Sequence, residues 1–296
     1  MKAPELLFIV GPTASGKTEL ALREAERREA FILSCDSLCV YRGMDIGTAK
    51  PTKEEQGRIR HYGLDLANPD KPFSVSRYIA YRDRVLGAHR GSGRPLIVVG
   101  GSGFYLKSFF APVIDQIAIP EGTREAVSRI RENEGRDGLE RALRALHPEE
   151  ATFPGLDLRN GLRVEKALLR TMATGRPYSE LRAAFEAQPP PLGEWKKTVW
   201  LVSREKHDLR ERNRRRVARM LEEGLVEEVR ELRRRGFERN PSACGAIGYR
   251  EVLAFLDNRG PLKELEETIY VHTNQLMRKQ RSWFRHQIPV DRRIEG

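Results

Sequence analysis

Eight consecutive residues, Gly11, Pro12, Thr13, Ala14, Ser15, Gly16, Lys17 and Thr18, have the types and spacing to hold a polyphosphate. Gly11 and Gly16 permit backbone conformations that side chains block. The loop's N–H groups can then point inward at an anion, and a following helix adds its dipole. Lys17 supplies a point charge for a terminal phosphate, and Thr18 can place its hydroxyl on a magnesium ion. The pattern specifies a polyphosphate and leaves its identity open.

Other groups could work beside such a loop. Asp36 follows the apolar run Phe31-Ile32-Leu33 and precedes Ser37. A carboxylate there can ligate magnesium, accept a proton from a nucleophile, or cap the next helix. The stretch Tyr41 to Pro51 mixes Gly, Asp, Thr and Lys without helical or strand period. It is longer than most loops, and long loops tend to bind things. Gly100-Gly101-Ser102-Gly103 is a second glycine-rich turn. It either lets the backbone approach a substrate, with Ser102 as hydroxyl donor, or simply turns a strand into a helix. Leu96 to Val99 runs into glycine, not into the aspartate that phosphate-loop ATPases commonly use for magnesium.

Two basic stretches follow. Arg204 to Arg219 is dense in arginine, and Arg212 and Arg216 share a helix face, so one of them could reach the anionic site. Arg278 to His286 interleaves cations with Trp283 and Phe284. That mixture suits phosphate contact with base stacking in RNA loops, and equally an ordinary helix with an aromatic core edge.

The elements that must position these groups follow from hydrophobic pattern. Leu6–Val10, 31–34 and 95–99 read as buried strands, with helices over 19–25 and 76–89. Strand–helix alternation predicts an α/β fold, a parallel sheet flanked by helices, with functional residues at the strands' C-terminal ends. From about residue 120 strand signals vanish. Residues 124–132, 136–146, 162–174 and 178–187 read as short amphipathic helices, closed by Pro189-Pro190-Pro191. Residues 198–202 read as a returning strand, followed by helices over about 208–224, 226–235, 249–256 and 262–284. The expected domains are a phosphate-loop NTPase-like core, 1–119 with 192–296, and an all-helical insertion, 120–191.

Composition narrows the partners. The 296 residues carry a net charge of +11, so a polyanionic partner is plausible beside the alternative of a charge-rich surface. Cys35, Cys39 and Cys244 have neither zinc-finger spacing nor a disulfide framework, which fits a reducing compartment. There is no signal-peptide pattern and no run near the ~20 apolar residues of a membrane span. A cytoplasmic monomer without membrane attachment is expected.

Taken together, GPTASGKT (11–18), CDSLCVYRGMDIGTAKP (35–51), VVGGSGFYLK (98–107), AIGYRE (246–251) and TNQLMRKQRSWFRHQ (273–287) resemble the bacterial tRNA dimethylallyltransferase, or tRNA isopentenyltransferase, family. The segments occur in the family's order and span nearly the whole chain. The resemblance implies transfer of a dimethylallyl group to N6 of adenosine-37, just 3′ of the anticodon, in tRNAs reading codons that start with U. It implies that residues 11–18 hold the diphosphate of dimethylallyl diphosphate and that Thr18 serves its magnesium ion. Arg212 matches the family's additional diphosphate arginine, and Asp36 the base that accepts the N6 proton. Ser102 stands where the family often has threonine against the target adenosine. Contacts to the tRNA anticodon stem-loop fall by the same resemblance to Asp36, Ser37, Leu38, Cys39, Ser102, Arg124, Arg163 and Lys166. They extend to Gly245, Ala246, Ile247, Gly248, Tyr249 and Arg250, and to Arg278 and Lys279.

The sequence departs from the family pattern at Asn274, where arginine is usual, at Cys39, and in the order Arg278-Lys279. Residues 156–166 fit the pattern loosely, and the cysteine count leads us to expect no zinc finger of the kind found in eukaryotic relatives. Two other readings remain: a phosphate-loop kinase of a nucleoside or small metabolite, with Asp36 activating a hydroxyl, and an RNA-binding protein with a vestigial phosphate loop.

Overall fold

The computed structural model describes residues 4–91, 93–115, 117–150, 152–258 and 260–296. In chain order the elements are β1 Glu5–Val10, α1 Lys17–Arg28, β2 Phe31–Cys35, α2 Lys53–Arg58, β3 His61–Tyr62, α3 Val75–His89, β4 Leu96–Gly100 and α4 Gly103–Lys107. There follow α5 Glu121–Leu146, α6 Gly161–Thr174, α7 Tyr178–Glu186, β5 Lys196–Ser203, α8 Lys206–Glu222, α9 Leu225–Arg234, α10 Pro241–Cys244, α11 Tyr249–Asn258, α12 Leu262–His286 and β6 Arg292–Glu295.

The chain divides into two compact units, Met1–Phe110 with Pro191–Gly296, and Ala111–Pro190. The first holds a six-stranded sheet in the order β3-β2-β4-β1-β5-β6, every pair parallel. Its inner strands are near-continuous apolar runs because both faces are covered. Side chains alternate between those faces. Leu6, Phe8 and Val10 join Leu33, Val98 and Leu201 in the larger core. Leu7 and Ile9 join Ile32, Ile97 and Ala21 of α1 in the smaller one.

The sheet's C-terminal edge depends on one glycine. A Cβ on Gly100 would lie 2.1 Å from the Cys35 carbonyl oxygen of the neighbouring strand. We expect Gly100→Ala to destabilise the protein by roughly 3 kcal/mol, since both backbones must move apart. Thermal unfolding followed by circular dichroism checks this; an unchanged Tm would show that β2 and β4 can separate here without loss.

β6 and β3 have no counterpart in the sequence expectation, nor do the short helices α2, α4 and α10. β3 is two residues long, and β6 is an edge strand whose one apolar residue, Ile294, gives no alternation.

The second unit contains α5, α6 and α7 and no strand among its described residues. Val127, Leu139, Leu143, Phe153, Val164 and Leu168 form its core. The two helices expected at 124–132 and 136–146 run on as α5, broken only at Gly135, whose φ of 62° and ψ of −151° are not helical. Glycine is suited to that left-handed φ. The unit begins at Ala111, earlier than the expected residue 120. Asp115 explains the difference, because its carboxylate pairs with Arg170 on α6.

Candidate active site

The phosphate loop joins β1 to α1. Its turn uses two left-handed residues, Ala14 at φ 65° and Gly16 at φ 92°, the latter being the N-cap of α1. Ser15 N–H donates to the Pro12 carbonyl at 3.3 Å. Gly11 is hemmed in: a Cβ there would lie 2.7 Å from the Val202 carbonyl oxygen and 2.8 Å from Ser15 Oγ. Ser15 is fully buried, and its hydroxyl has no hydrogen-bond partner.

The loop is braced from three sides by residues distant in sequence. Arg204 Nε donates to Ser15 O at 2.8 Å, and Arg212 Nε to Ala14 O at 3.0 Å. Gln280 of α12 accepts from Thr13 N–H at 2.9 Å and donates to Gly101 O at 3.4 Å. One carboxamide thus ties the phosphate loop to the second glycine turn. The sequence does not single out Gln280, beyond its being an uncharged polar residue amid the cations of 278–285.

Lys17 Nζ reaches the Pro12 carbonyl at 3.4 Å. Its pKa is pushed down to about 8, first by burial and then by repulsion from Arg216, against the pull of Asp36. Arg216 is likewise lowered by burial and raised by Asp36. Lys17, Arg216 and Asp36 therefore share one electrostatic environment. Of the two arginines on the expected face, Arg212 spends a guanidinium N–H on the loop backbone, while Arg216 faces the charges.

Two cavities open on this environment. One, of about 830 Å³, is lined by Ala14, Gly16, Lys17, Thr18, Arg212 and Arg216, among others. The other, of about 680 Å³, is lined by Thr13, Asp36, Ser37, Leu38, Ser102, Arg216 and further residues. Arg216 and Met220 border both. Asp36 Oδ1 accepts from Leu38 N–H at 2.9 Å, which turns the chain sharply after β2. Ser102 Oγ accepts from Ser37 N–H at 2.9 Å and lies 3.2 Å from Ser37 Oγ. Of the three uses open to Asp36, helix capping is not the one seen, since no helix starts there.

The long loop 41–51 is ordered by two charged residues. Lys50 Nζ donates to Tyr41 O, Asp45 Oδ1 and Asp65 Oδ1 at 2.8, 2.5 and 2.7 Å. Glu228 of α9 accepts from the N–H groups of Asp45, Ile46 and Gly47 and from the Tyr249 hydroxyl. Gly47 is needed where Tyr249 approaches: a Cβ would sit 2.6 Å from its ring. Gly47 and Thr48 line the 680 Å³ cavity.

The residues expected to touch RNA separate into groups. Asp36, Ser37, Leu38, Ser102, Gly245, Ala246, Ile247, Gly248 and Lys279 all line the 680 Å³ cavity. Cys39 and Tyr249 are buried, so they shape the wall from behind. Burial and the Asp36 charge push the Cys39 thiol up to about 12. Arg250 pairs with Glu251 at 2.6 Å, and Arg278 is exposed on α12. Arg124, Arg163 and Lys166 are exposed on α5 and α6 of the other unit and line neither cavity.

A sequence model of the IPP transferase family matches residues 39–287. The chain is 44% identical over 296 residues to the tRNA dimethylallyltransferase of Opitutus terrae, covering 99% of this chain and 94% of that one. It is similar to the crystal structure of the full-length tRNA isopentenylpyrophosphate transferase from Bacillus halodurans, with 31% identity, a TM-score of 0.69, and coverage of 99% and 90%. A eukaryotic dimethylallyltransferase acting on tRNA shares the fold at 21% identity, with a TM-score of 0.82 over 99% of this chain and 74% of that one.

Proposed function

The chain belongs to the IPP transferase family, and on that premise we propose that it transfers the dimethylallyl group of dimethylallyl diphosphate to N6 of adenosine-37, 3′ of the anticodon, in tRNAs reading codons that begin with U. The carrying observation is that Arg216 borders both cavities, with the phosphate loop on one side and Asp36 on the other. Such a layout suits a diphosphate and a nucleobase meeting at one point.

Asp36 is proposed as the base. The exocyclic amine of adenine is a poor nucleophile, because its lone pair is delocalised into the ring. As nitrogen bonds to the allylic carbon, the carbon–oxygen bond to diphosphate breaks and the N6 proton passes to the Asp36 carboxylate. Lys17, Arg216 and the loop N–H groups neutralise the charge developing on the leaving diphosphate. The Ser15 hydroxyl is buried beside Gly11 and lines neither cavity, so it is not among these donors. Gly11, Pro12, Thr13, Ala14 and Gly16 shape this cradle, and Arg212 holds it through Ala14.

A magnesium ion fits the donor set. Among the described residues no group of three or more His, Cys, Asp or Glu side chains could hold a metal by themselves. Magnesium bound mainly through phosphate oxygens and water needs only one protein oxygen, which Thr18 can give. When bound, the ion would add positive charge where the leaving group develops negative charge.

No helix among the described residues is long and apolar enough to cross a membrane. A cytoplasmic location and a monomeric state go with the tRNA substrate in this proposal. Arg124, Arg163, Lys166 and Arg278 would then contact phosphates outside the cavity, and Lys279 a phosphate at its wall.

The deciding experiment is incubation with magnesium, labelled dimethylallyl diphosphate and unmodified tRNA. Label on adenosine-37 supports the reading. Phosphoryl transfer from ATP with no label in RNA would replace it by the kinase. A pH dependence follows from Lys17. Its charge is nearly full a unit or more below pH 8 and is lost as pH rises through about 8 in the free protein. Affinity for the diphosphate donor is therefore expected to weaken as pH rises, up to about tenfold per unit beyond that point. Calorimetric titration from pH 7 to 9.5 checks this; a flat profile would mean that Lys17 does not carry donor affinity.

A further inference from the structure

Phe104 is 69% exposed, the most exposed of the large apolar side chains described. It belongs to the wall of the cavity that Asp36 and Ser102 line. The cause of its exposure is local. Its neighbours Tyr105 and Leu106 turn into the core, where the Tyr105 ring stacks on Tyr78 with centroids 4.0 Å apart. The start of α4 thereby commits those side chains inward and leaves Phe104 out. Among the described residues no aromatic ring packs on it.

The wall around it has two further properties. Trp283 lies against the backbone of Gly103, whose Cβ would be 2.9 Å from the indole ring. Lys279, one helical turn before Trp283, lines the same cavity, as does Arg216. An exposed aromatic ring beside cations is the combination that holds unpaired nucleic acid, the ring taking a base face and the cations the backbone.

We propose that Phe104 is a stacking platform for the unpaired base next to the target adenosine in the RNA. This rests on the reading that RNA enters the Asp36 cavity. A base that leaves its stack to reach Asp36 strips one face from each neighbour. Phe104, exposed on the same wall, supplies a replacement face and so stabilises the flipped state. Stacking tolerates any base, so the platform contributes affinity without fixing the flanking sequence.

The test uses the full chain and an anticodon stem-loop RNA with 2-aminopurine on either side of the target. Phe104→Ala is expected to raise the RNA Kd about tenfold to a hundredfold. It should also restore 2-aminopurine fluorescence that the parent protein quenches at one flanking position. Phe104→Trp and Phe104→Tyr should keep both affinity and quenching. Because the side chain is exposed, the Tm of all three variants should match the parent's. An RNA Kd within twofold of the parent for Phe104→Ala overturns the proposal. So does quenching that persists without the ring, or a loss confined to the KM for dimethylallyl diphosphate, which would make Phe104 a prenyl contact. None of the RNA readouts requires turnover. Phe104-dependent binding without prenyl transfer would therefore sustain the platform and remove only the activity, whereas a parent protein that binds no RNA overturns both.

Discussion

Asp36→Asn is expected to lower the rate of prenyl transfer at least a hundredfold while tRNA binds as before. The substitution is chosen for what it retains. An asparagine still presents Oδ1 to the Leu38 N–H, so the turn after β2 stays closed. It removes the ability to take a proton together with the carboxylate's charge, and general bases contribute typically ~10²–10⁴-fold. Asp36 also favours the charged forms of Lys17 and Arg216, so donor affinity should fall modestly with it. Single-turnover transfer with both substrates saturating separates the two effects. A near-normal rate with weakened tRNA binding would reassign Asp36 to recognition.

Arg216→Gln is expected to cost about 10²–10³-fold in kcat/KM for dimethylallyl diphosphate, the scale for losing one donor to a developing anion. Arg212→Gln should cost far less, and through a different route. Arg212 also lines the phosphate-loop cavity, but its Nε is committed to the Ala14 carbonyl, so its loss acts chiefly by loosening the loop. Steady-state kinetics of the two variants side by side decide the matter. The opposite ranking would put Arg212 on the diphosphate and make Arg216 a wall residue.

That comparison also marks where sequence reasoning stops. The phosphate loop is legible because its chemistry is local: two glycines, a lysine and a hydroxyl within eight residues, between a strand and a helix. The parallel sheet is legible because β1, β2, β4 and β5 are apolar runs separated by helical patterns. Arginine register is not. Residues 212 and 216 share a face of α8, and which of them meets the charges depends on where the helix lies against the loop, a tertiary quantity. The same limit hides the burial of Cys39 and Tyr249 and the bracing by Gln280. β6 escapes because only pairing with β5, from Trp200 opposite Arg292 to Ser203 opposite Glu295, makes it a strand.

Gln280 braces Thr13 across 267 positions of sequence, and Glu228 fixes the backbone at Asp45 across 183. During synthesis, therefore, the segment made first is among the last to be completed. A nascent chain can form the turn from β1 into α1 early, because its hydrogen bonds are local. The walls that give that turn something to work on arrive only with α9 and α12. High contact order of this kind slows folding. It also leaves an incomplete chain with a recognisable phosphate loop and no chamber around it.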